Sequence, residues 1–156
     1  MRRSIIQVIS VNRKARHDYL ILDTVEAGLV LTGTEIKSIR EGRVNIRDSF
    51  ARPWSGELWL MNAHVAQYMS GGYVNHEPTR PRKLLLHHRQ LSEMVAKVAR
   101  GGFTIVPLRI YIRNHVAKVE IGVARGRRQY DKRQVIAKRA ADMEMRRAIK
   151  GMRSSG

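Results

Sequence analysis

The sequence predicts a small, mostly antiparallel β-barrel with flanking helices and a basic C-terminal tail. Within residues 1–124, about six short runs have the apolar alternation of β-strands, and two further runs have helical spacing. Strands this short and this numerous are typical of barrels and sandwiches, and the barrel is the preferred interpretation. The density of Lys and Arg rises abruptly after residue 124, so residues 125–156 are expected to form a separate tail.

The first strand and helix patterns follow each other directly. Residues 18–31 carry apolar residues on both sides of a central Glu-Ala-Gly, which predicts a hairpin with Gly28 in the turn. Residues 32–42 predict a helix. In that helix Thr34 is the expected N-terminal cap, and Gly42 can take the left-handed conformation that ends it.

The middle of the chain contains two more strand patterns, a loop and the second helix. Residues 44–52 and 57–68 each contain apolar and aromatic residues in strand-like runs, and each predicts one strand. Residues 69–82 contain two Gly and two Pro, which is typical of a loop. Residues 89–102 place apolar side chains at helical spacing and end in a Gly pair, which predicts a helix with a defined stop.

The last two strand patterns are residues 103–114 and 116–126, which are joined at Asn114 and His115. Their apolar residues keep a period of two over most of their length, as in strands with one buried face. Pro107 lies early in the first of them. Because proline has no N–H to donate, it predicts a sheet edge or a bulge at that position.

The composition indicates a globular protein with an acidic partner. Apolar residues make up 43% of the chain, which is enough for a modest core, and the net charge is +17. Charge of that size points to an acidic polymer or to an anionic membrane surface. The absence of cysteine agrees with a reducing cytoplasm, which is the expected location. The N-terminal segment lacks a secretory cleavage pattern, and no run reaches the roughly 18 apolar residues of a membrane span.

Patterns that support catalysis or metal binding are weak. The thirteen acidic residues are scattered, whereas a two-metal nuclease or phosphodiesterase needs several carboxylates at one site. A site assembled from distant carboxylates stays open as an alternative. Two of the six histidines are adjacent at positions 87 and 88, and such neighbours on a strand face opposite sides. We therefore expect surface or RNA-facing imidazoles, no metal, no cofactor and no enzyme activity.

Two basic segments within the body favour contact with nucleic acid. Residues 12–19 combine basic residues with an amide and an aromatic ring, and residues 79–89 combine them with a Leu triplet that can anchor the backbone. Ordinary solvated charge is the alternative for both segments. Taken alone, Asn12 and Glu26 fit a strand end and a turn. A carboxylate in a basic protein can also orient arginines or accept a hydrogen bond from a nucleotide hydroxyl.

The tail has the pattern of a helix without a hydrophobic face. Asp131 and Gln134 have the spacing of a capping box, and later acidic residues precede arginines by three or four positions. The predicted helix runs from Lys132 to Lys150, about 28 Å at 1.5 Å per residue. Its apolar residues lie on opposite sides, so it lacks the stripe that stabilises most protein helices. We expect it to be unfolded when free and helical on a polyanion; the alternative is a merely disordered basic tail.

Three long motifs occur in order along the chain. They are NRKARHDYLILDTVEAGLVLTGTEIKSIREGRVNIRDSFA, EPTRPRKLLLH and KVEIGVARGRRQYDKR. Together they closely resemble the SmpB family, the SsrA-binding proteins of bacterial trans-translation. The similarity runs from about residue 11 to the end of the chain, and only RPWSGELWL and MSGGYVNH look variable within it. The ending KGMRSSG departs from the family pattern.

This resemblance implies an OB-type antiparallel β-barrel with flanking helices and no catalytic activity. It implies an adaptor that binds the tRNA-like domain of tmRNA and delivers it to stalled ribosomes, where the tail enters the vacant mRNA channel as a helix. Elongation factor Tu and alanyl-tRNA synthetase would be indirect partners through tmRNA, and a monomer is expected. A ribosomal or ribosome-assembly protein with a similar barrel and tail is the alternative.

The same resemblance implies which residues contact RNA. The positions tied to tmRNA binding in the family correspond to Asn12, Glu26 and Leu86. The other residues expected at that interface lie in the same motifs and are Arg13, Lys14, His17, Lys37, Arg80, Arg82 and Lys83. The tail residues expected near the decoding centre are Tyr130, Asp131, Lys132 and Arg133. There the tyrosine can stack on a base and the Lys–Arg pair can hold phosphates.

Overall fold

A computed structural model describes residues 5–70 and 74–126, together with positions 143 and 147. The chain divides into two compact units, residues 1–125 and 126–156. Positions 143 and 147, in the second unit, are both helical. The rest of the predicted tail helix lies outside the described residues, as do Tyr130 and Asp131 before it.

The described part of the first unit contains nine strands and three helices. In chain order they are β1 Ile6–Val11, α1 Arg13–Asp18, β2 Tyr19–Leu29, α2 Gly33–Arg40, β3 Val44–Asn45, β4 Phe50–Trp54, β5 Glu57–Met61, β6 His64–Val65, β7 Arg82–Leu85, α3 His88–Ala99, β8 Thr104–Arg113 and β9 Val116–Gly126. None of the helices in the described residues has the length and apolarity needed to cross a membrane.

Seven of these strands form one sheet that closes on itself. The strand order is β1-β8-β4-β5-β7-β2-β9, and β9 also pairs with β8, which completes a ring of six strands. One edge of β8 lies against β9. The other edge of β8 pairs with two strands: residues 109–113 pair with β1, and Ile105 pairs with β4. The predicted antiparallel barrel is therefore confirmed, rather than the alternative sandwich.

The barrel interior holds the main hydrophobic core. Its fully buried members include Leu58, Leu60, Ile105, Ile110 and Ile121. A second, smaller cluster joins α1 to the outside of the barrel wall and consists of Ala15, Val106, Leu108 and Ala124. Burying one Leu or Ile side chain contributes about 1.5–3 kcal/mol, so the two clusters together fix both the wall and the helix that lies on it.

The predicted hairpin in residues 18–31 is wrong, because β2 runs without interruption from Tyr19 to Leu29. Gly28 lies within this strand and pairs with Leu85 of β7. A Cβ on Gly28 would lie 3.2 Å from the Leu85 Cβ, which is tighter than most real contacts. The glycine therefore permits the close approach of two strands and makes no turn.

Helix α2 begins at Gly33, so its cap lies two residues before the predicted one. Its N-cap is Thr32 and not Thr34. The N–H of Glu35 donates to Thr32 Oγ1 at 3.3 Å, and the N–H of Thr32 donates to Glu35 Oε1 at 2.9 Å. These reciprocal bonds are a capping box, which satisfies two N–H groups that the helix leaves open. Gly42 follows the helix with a φ of +77°, as predicted.

The two strands predicted in the middle of the chain are each broken in two. Residues 44–52 form β3 and β4, separated by a turn in which the Ser49 hydroxyl donates to Ile46 O at 2.6 Å. Residues 57–68 contain β5 and β6, and the break lies at Asn62, whose φ of +61° does not continue a strand. Strands β3 and β6 pair with each other in a small second sheet.

The predicted second helix and final hairpin are confirmed. Helix α3 is followed by Gly101 and Gly102, with φ values of +80° and +78°. Strands β8 and β9 turn at Asn114 and His115, and their register shifts just after Pro107, which is the predicted bulge. Strand β1, helix α1 and strand β7 are elements that the sequence patterns did not predict, and β7 begins at Arg82, the last residue of the predicted loop.

Candidate nucleic-acid interface

Asn12 lies between β1 and α1 and is buried, with 2% of its surface exposed. Its Oδ1 accepts a hydrogen bond from Ala15 N–H at 3.0 Å, so it caps α1. Its Nδ2 donates to Ile46 O at 3.0 Å and to Pro107 O at 2.9 Å, which ties the helix to two distant segments. Because these bonds enclose the amide, the role that the geometry of Asn12 supports is the positioning of α1.

The exposed side chains of α1 include Arg13, Lys14 and His17. They line an open cleft of about 600 Å³ that extends to Arg47. Lys14 Nζ lies 2.5 Å from Asp48 Oδ1, and this lysine lowers the pKa of that carboxyl. Both partners of the pair are exposed, so water screens their attraction and Lys14 can exchange Asp48 for a phosphate.

Glu26 of β2 faces Tyr111 and Arg113 of β8. Glu26 Oε2 accepts a hydrogen bond from Arg113 Nη1 at 2.9 Å. Burial, together with the hydrogen bond to Glu26, raises the pKa of Tyr111 to about 12, so its hydroxyl stays protonated. Glu26 Oε1 is buried without a hydrogen-bond partner among the described residues. Glu26 therefore orients an arginine from within a strand, and its interpretation as a turn residue is wrong.

A chain of contacts joins Glu26 to α1 across the outer face of β8 and β9. Arg109 lies over the Tyr111 ring, with its Cζ 4.8 Å from the ring centre. Arg109 Nη2 is 3.4 Å from Glu120 Oε2, and Arg16 Nη2 of α1 is 3.6 Å from Glu120 Oε1. We call this region the α1–β8 surface, and its members are Arg13, Lys14, Arg16, His17, Glu26, Arg109 and Arg113.

Leu86 follows β7 and is partly buried against the main core. In the ladder between β2 and β7, Leu29 pairs with Leu84 and Gly28 with Leu85. The next position along β7 is therefore close to the segment of β2 that carries Glu26. Packed in this way, Leu86 fixes the edge of the barrel next to the α1–β8 surface.

Arg80 and Arg82 bind one buried carboxylate, that of Glu35 in α2. Arg80 Nη2 donates to Glu35 Oε1, and Arg82 Nε donates to Glu35 Oε2. Burial raises the pKa of Glu35, but the hydrogen bonds from Arg80, from Thr32 N–H and from Arg82 outweigh it, so the pKa lies below its ordinary value. Burial lowers the pKa of Arg82, and Glu35 partly offsets that change. Glu35 and Arg82 therefore both remain charged inside the fold.

Arg82 is enclosed, with 1% of its surface exposed. Its Nη1 donates to Ala63 O at 2.8 Å and its Nη2 to Pro78 O at 3.0 Å, so the guanidinium joins three segments of the chain. The Arg80 side chain is 31% exposed, and its Nη2 also donates to Val30 O at 3.2 Å. Of the two arginines, Arg80 is placed to reach a phosphate, and Arg82 supports the backbone beneath it.

Lys37 of α2 is two positions after Glu35 in the chain, and Lys83 of β7 directly follows Arg82. Lys37 Nζ is 5.3 Å from the centre of the Tyr68 ring, a cation–π contact. Lys83 Nζ is 3.4 Å from Glu57 Oε1, and both of these side chains are more than one-third exposed. With Arg80, the two lysines form a second group of basic residues around α2 and β7.

Arg109 and Arg113 of the α1–β8 surface, and Tyr111 between them on β8, were not among the predicted site residues. Arg109, Tyr111 and Arg113 occupy alternate positions of β8, so they share its outer face. Polar residues alternating in an otherwise apolar strand are the sequence feature that could have identified them. Among the residues that the structure describes, no group of three or more His, Asp or Glu side chains could hold a metal ion.

Comparisons with known proteins identify similar chains over nearly the whole sequence. The family model described as "SmpB protein" matches residues 9–151. The chain is 57% identical over 145 residues to the SsrA-binding protein of Roseiflexus sp. (strain RS-1) and 54% identical over 144 residues to that of Shouchella clausii (strain KSM-K16). Each match covers 92% of both proteins. A solved structure described as "tmRNA-SmpB: a journey to the center of the bacterial ribosome" contains a chain that is 52% identical, with a TM-score of 0.64. That match covers 75% of this chain and 82% of the other.

Proposed function

The chain belongs to the SmpB protein family, and on this basis we propose that it is an RNA-binding adaptor of trans-translation. It binds the tRNA-like domain of tmRNA and delivers it to stalled ribosomes. The observation that carries the proposal is the family match over residues 9–151, which include the barrel and both groups of basic residues. The family match does not favour the alternative of a ribosomal or ribosome-assembly protein.

The α1–β8 surface is the proposed binding site for tmRNA. Its exposed cations can contact phosphates, which supply most of the affinity for RNA. Glu26 holds Arg113 in a fixed direction, and Asn12 fixes α1 and with it the spacing of Arg13 and Lys14. Charges held in fixed positions can distinguish one folded RNA from other polyanions, because only matching phosphate positions satisfy all of them.

The group around α2 and β7 is proposed to extend this interface. Arg80, Lys37 and Lys83 are its accessible cations. Arg82 and Leu86 act through their neighbours, because the first is enclosed and the second is packed against the core. Substituting either of these two would reduce RNA binding by disturbing the backbone that carries the accessible residues.

The tail is proposed to act on the ribosome. The predicted tail begins at residue 125, but β9 extends to Gly126. The part of the tail beyond β9, residues 127–156, would be unfolded in isolation and helical in the vacant mRNA channel, where ribosomal RNA neutralises its charge. Tyr130, Asp131, Lys132 and Arg133 are the proposed contacts near the decoding centre. The proposed protein is a cytoplasmic, non-enzymatic monomer, and elongation factor Tu and alanyl-tRNA synthetase reach it through tmRNA.

A gel-shift comparison of tmRNA with a ribosomal RNA fragment of equal length tests this proposal. Both titrations need the same salt concentration, because the non-specific part of the binding of such a basic chain depends strongly on salt. The proposal predicts that tmRNA binds more than about tenfold tighter than the fragment. Equal affinities would favour the ribosomal or assembly protein instead.

A further inference from the structure

The outer face of β4, β5 and β7 carries aromatic and basic side chains. Of these, only Lys83 belongs to the interface proposed above. Residues directly opposite each other in antiparallel strands point to the same face. Arg52 pairs with Trp59, and Trp59 pairs with Lys83, so these side chains form one row across three strands. Trp54 pairs with Glu57 in the next row. The intervening residues of β5 are buried, which fixes the outward direction of both rows.

The two tryptophans form the wall of an open cleft. The rings of Trp54 and Trp59 lie 6.2 Å apart at an angle of 68°, an edge-to-face contact. Trp59 Nε1 donates to Trp54 O at 3.2 Å, which restrains the ring of Trp59. The cleft has a volume of about 470 Å³ and is also lined by Arg52, Met61 and Pro81. Trp54 is 64% exposed, so a large aromatic face is open to a ligand.

The charged side chains around this cleft favour an anionic ligand. Glu57, the acidic member of the face, is paired with Lys83 at 3.4 Å, and within the described residues Arg52 has no ion-pair partner. A nucleotide satisfies both parts of the site, because its base can stack on an indole and its phosphate can meet the guanidinium. A second copy of this chain would bring one net charge of +17 against another, which opposes self-association.

We propose that this face is a further RNA-binding site, which stacks an unpaired base on the Trp54–Trp59 wall and holds the adjacent phosphate with Arg52. It is distinct from the α1–β8 surface, whose residues lie on α1, β2 and β8. The inference rests on the proposed function, because it takes RNA as the partner. It adds a preference for single-stranded RNA, because a base that is paired within a helix offers no free face for stacking.

Tryptophan fluorescence reports on this face alone, because Trp54 and Trp59 are the two tryptophans of the chain. The full-length protein is titrated with a short single-stranded oligoadenylate at fixed salt. The proposal predicts saturable quenching of the emission as a base stacks on the indoles. Saturable binding with unchanged emission would place the oligonucleotide away from the tryptophans, and that result would overturn the proposal.

Substitutions separate stacking from general charge attraction. Trp54→Ala and Arg52→Ala should each weaken oligoadenylate binding at least about fivefold, measured by the anisotropy of a labelled oligonucleotide. Trp54→Phe keeps an aromatic face and should restore most of the affinity, whereas Trp54→Leu keeps only apolar bulk and should not. Arg89→Ala is the matched control, since it removes an equal charge from a side chain of α3 that is 92% exposed. It should leave the affinity nearly unchanged.

Equal affinities of the wild type, Trp54→Ala and Arg52→Ala would overturn the proposal. Self-association of the wild type that Trp54→Ala abolishes, measured by sedimentation, would also overturn it, because the face would then bind a second copy of the chain. Failure of the proposed function has a different result. In that case the wild type does not distinguish tmRNA from the ribosomal RNA fragment, whatever the variants do with oligoadenylate.

Discussion

Arg82 and Glu35 form an ion pair inside the protein, between β7 and α2. Arg82 Nε donates to Glu35 Oε2, and both residues are at most 1% exposed. The pair joins parts of the chain that are 47 residues apart, and Arg80 completes it from the more accessible side. Because water does not reach these charges, each depends on the other for its stabilisation.

Removing the carboxylate should therefore destabilise the protein strongly. Glu35→Gln leaves the Arg82 charge buried without its counterion, and the expected loss in unfolding free energy is about 3–5 kcal/mol. Urea unfolding followed by circular dichroism measures this loss. Glu41→Gln is the control, because its side chain is 46% exposed and lies 4.0 Å from Arg43. A loss for Glu35→Gln no larger than that of the control would show that the pair does not hold the fold.

The lowered pKa of Glu35 also predicts how stability depends on pH. A carboxylate with a folded pKa below the ordinary 4.5 contributes stability that is fully present above that value and is lost as the pH falls through the folded pKa. The difference in unfolding free energy between the wild type and Glu35→Gln should thus be constant near neutral pH and shrink below about pH 4. The lowered pKa values of Asp48 and Glu77 affect both proteins and cancel. Urea titrations across this range that show no shrinkage would contradict the assignment.

Asn12 should act on RNA binding through the fold. Asn12→Ala removes the cap of α1 and leaves two buried carbonyls without their donor, which should cost about 2–3 kcal/mol of stability. The affinity for tmRNA should fall as well, because α1 and its cations shift. Gln7→Ala, on an exposed position of β1, is the control for both urea unfolding and gel shift. Normal stability with lost tmRNA binding would assign Asn12 a direct contact instead.

Glu26 should be needed for tmRNA binding although it carries the same sign of charge as RNA. Glu26→Ala raises the net positive charge, so simple attraction predicts tighter binding. If Glu26 orients Arg113, the affinity should instead fall by about tenfold, or 1.4 kcal/mol. Glu93→Ala removes an equal charge from α3, where the side chain is 65% exposed, and should not weaken binding. Unchanged or tighter binding by Glu26→Ala in a gel shift would show that the charge network is only structural.

The barrel could be predicted from the sequence because its strands are short and their apolar residues alternate. The long β8–β9 hairpin is the best example, since the alternation of its apolar residues, its turn and its bulge all lie where the sequence predicts them. Strand β2 could not be predicted in the same way. Its Glu-Ala-Gly segment has the composition of a turn, and only the packing of Gly28 against Leu85 shows why glycine is needed within a strand.

The candidate site could be predicted only in part, for a related reason. A sequence shows where arginines are, but not which carboxylate neutralises each of them. Arg82 therefore looked like an RNA contact in a basic segment, although Glu35 holds it inside the fold. The contacts from Arg16 through Glu120 to Arg109 likewise depend on side chains from three separate elements.

Peptide tagging on stalled ribosomes by a chain that lacks residues 131–156 tests the division of labour between barrel and tail most directly. The truncated protein is first bound to tmRNA, and complex formation is checked by gel shift before ribosomes are added. We predict unchanged affinity for tmRNA and no tagging, because the barrel holds the RNA and the tail is needed in the mRNA channel. Equal loss of tmRNA binding and tagging, or tagging at the level of the full-length protein, would contradict this division.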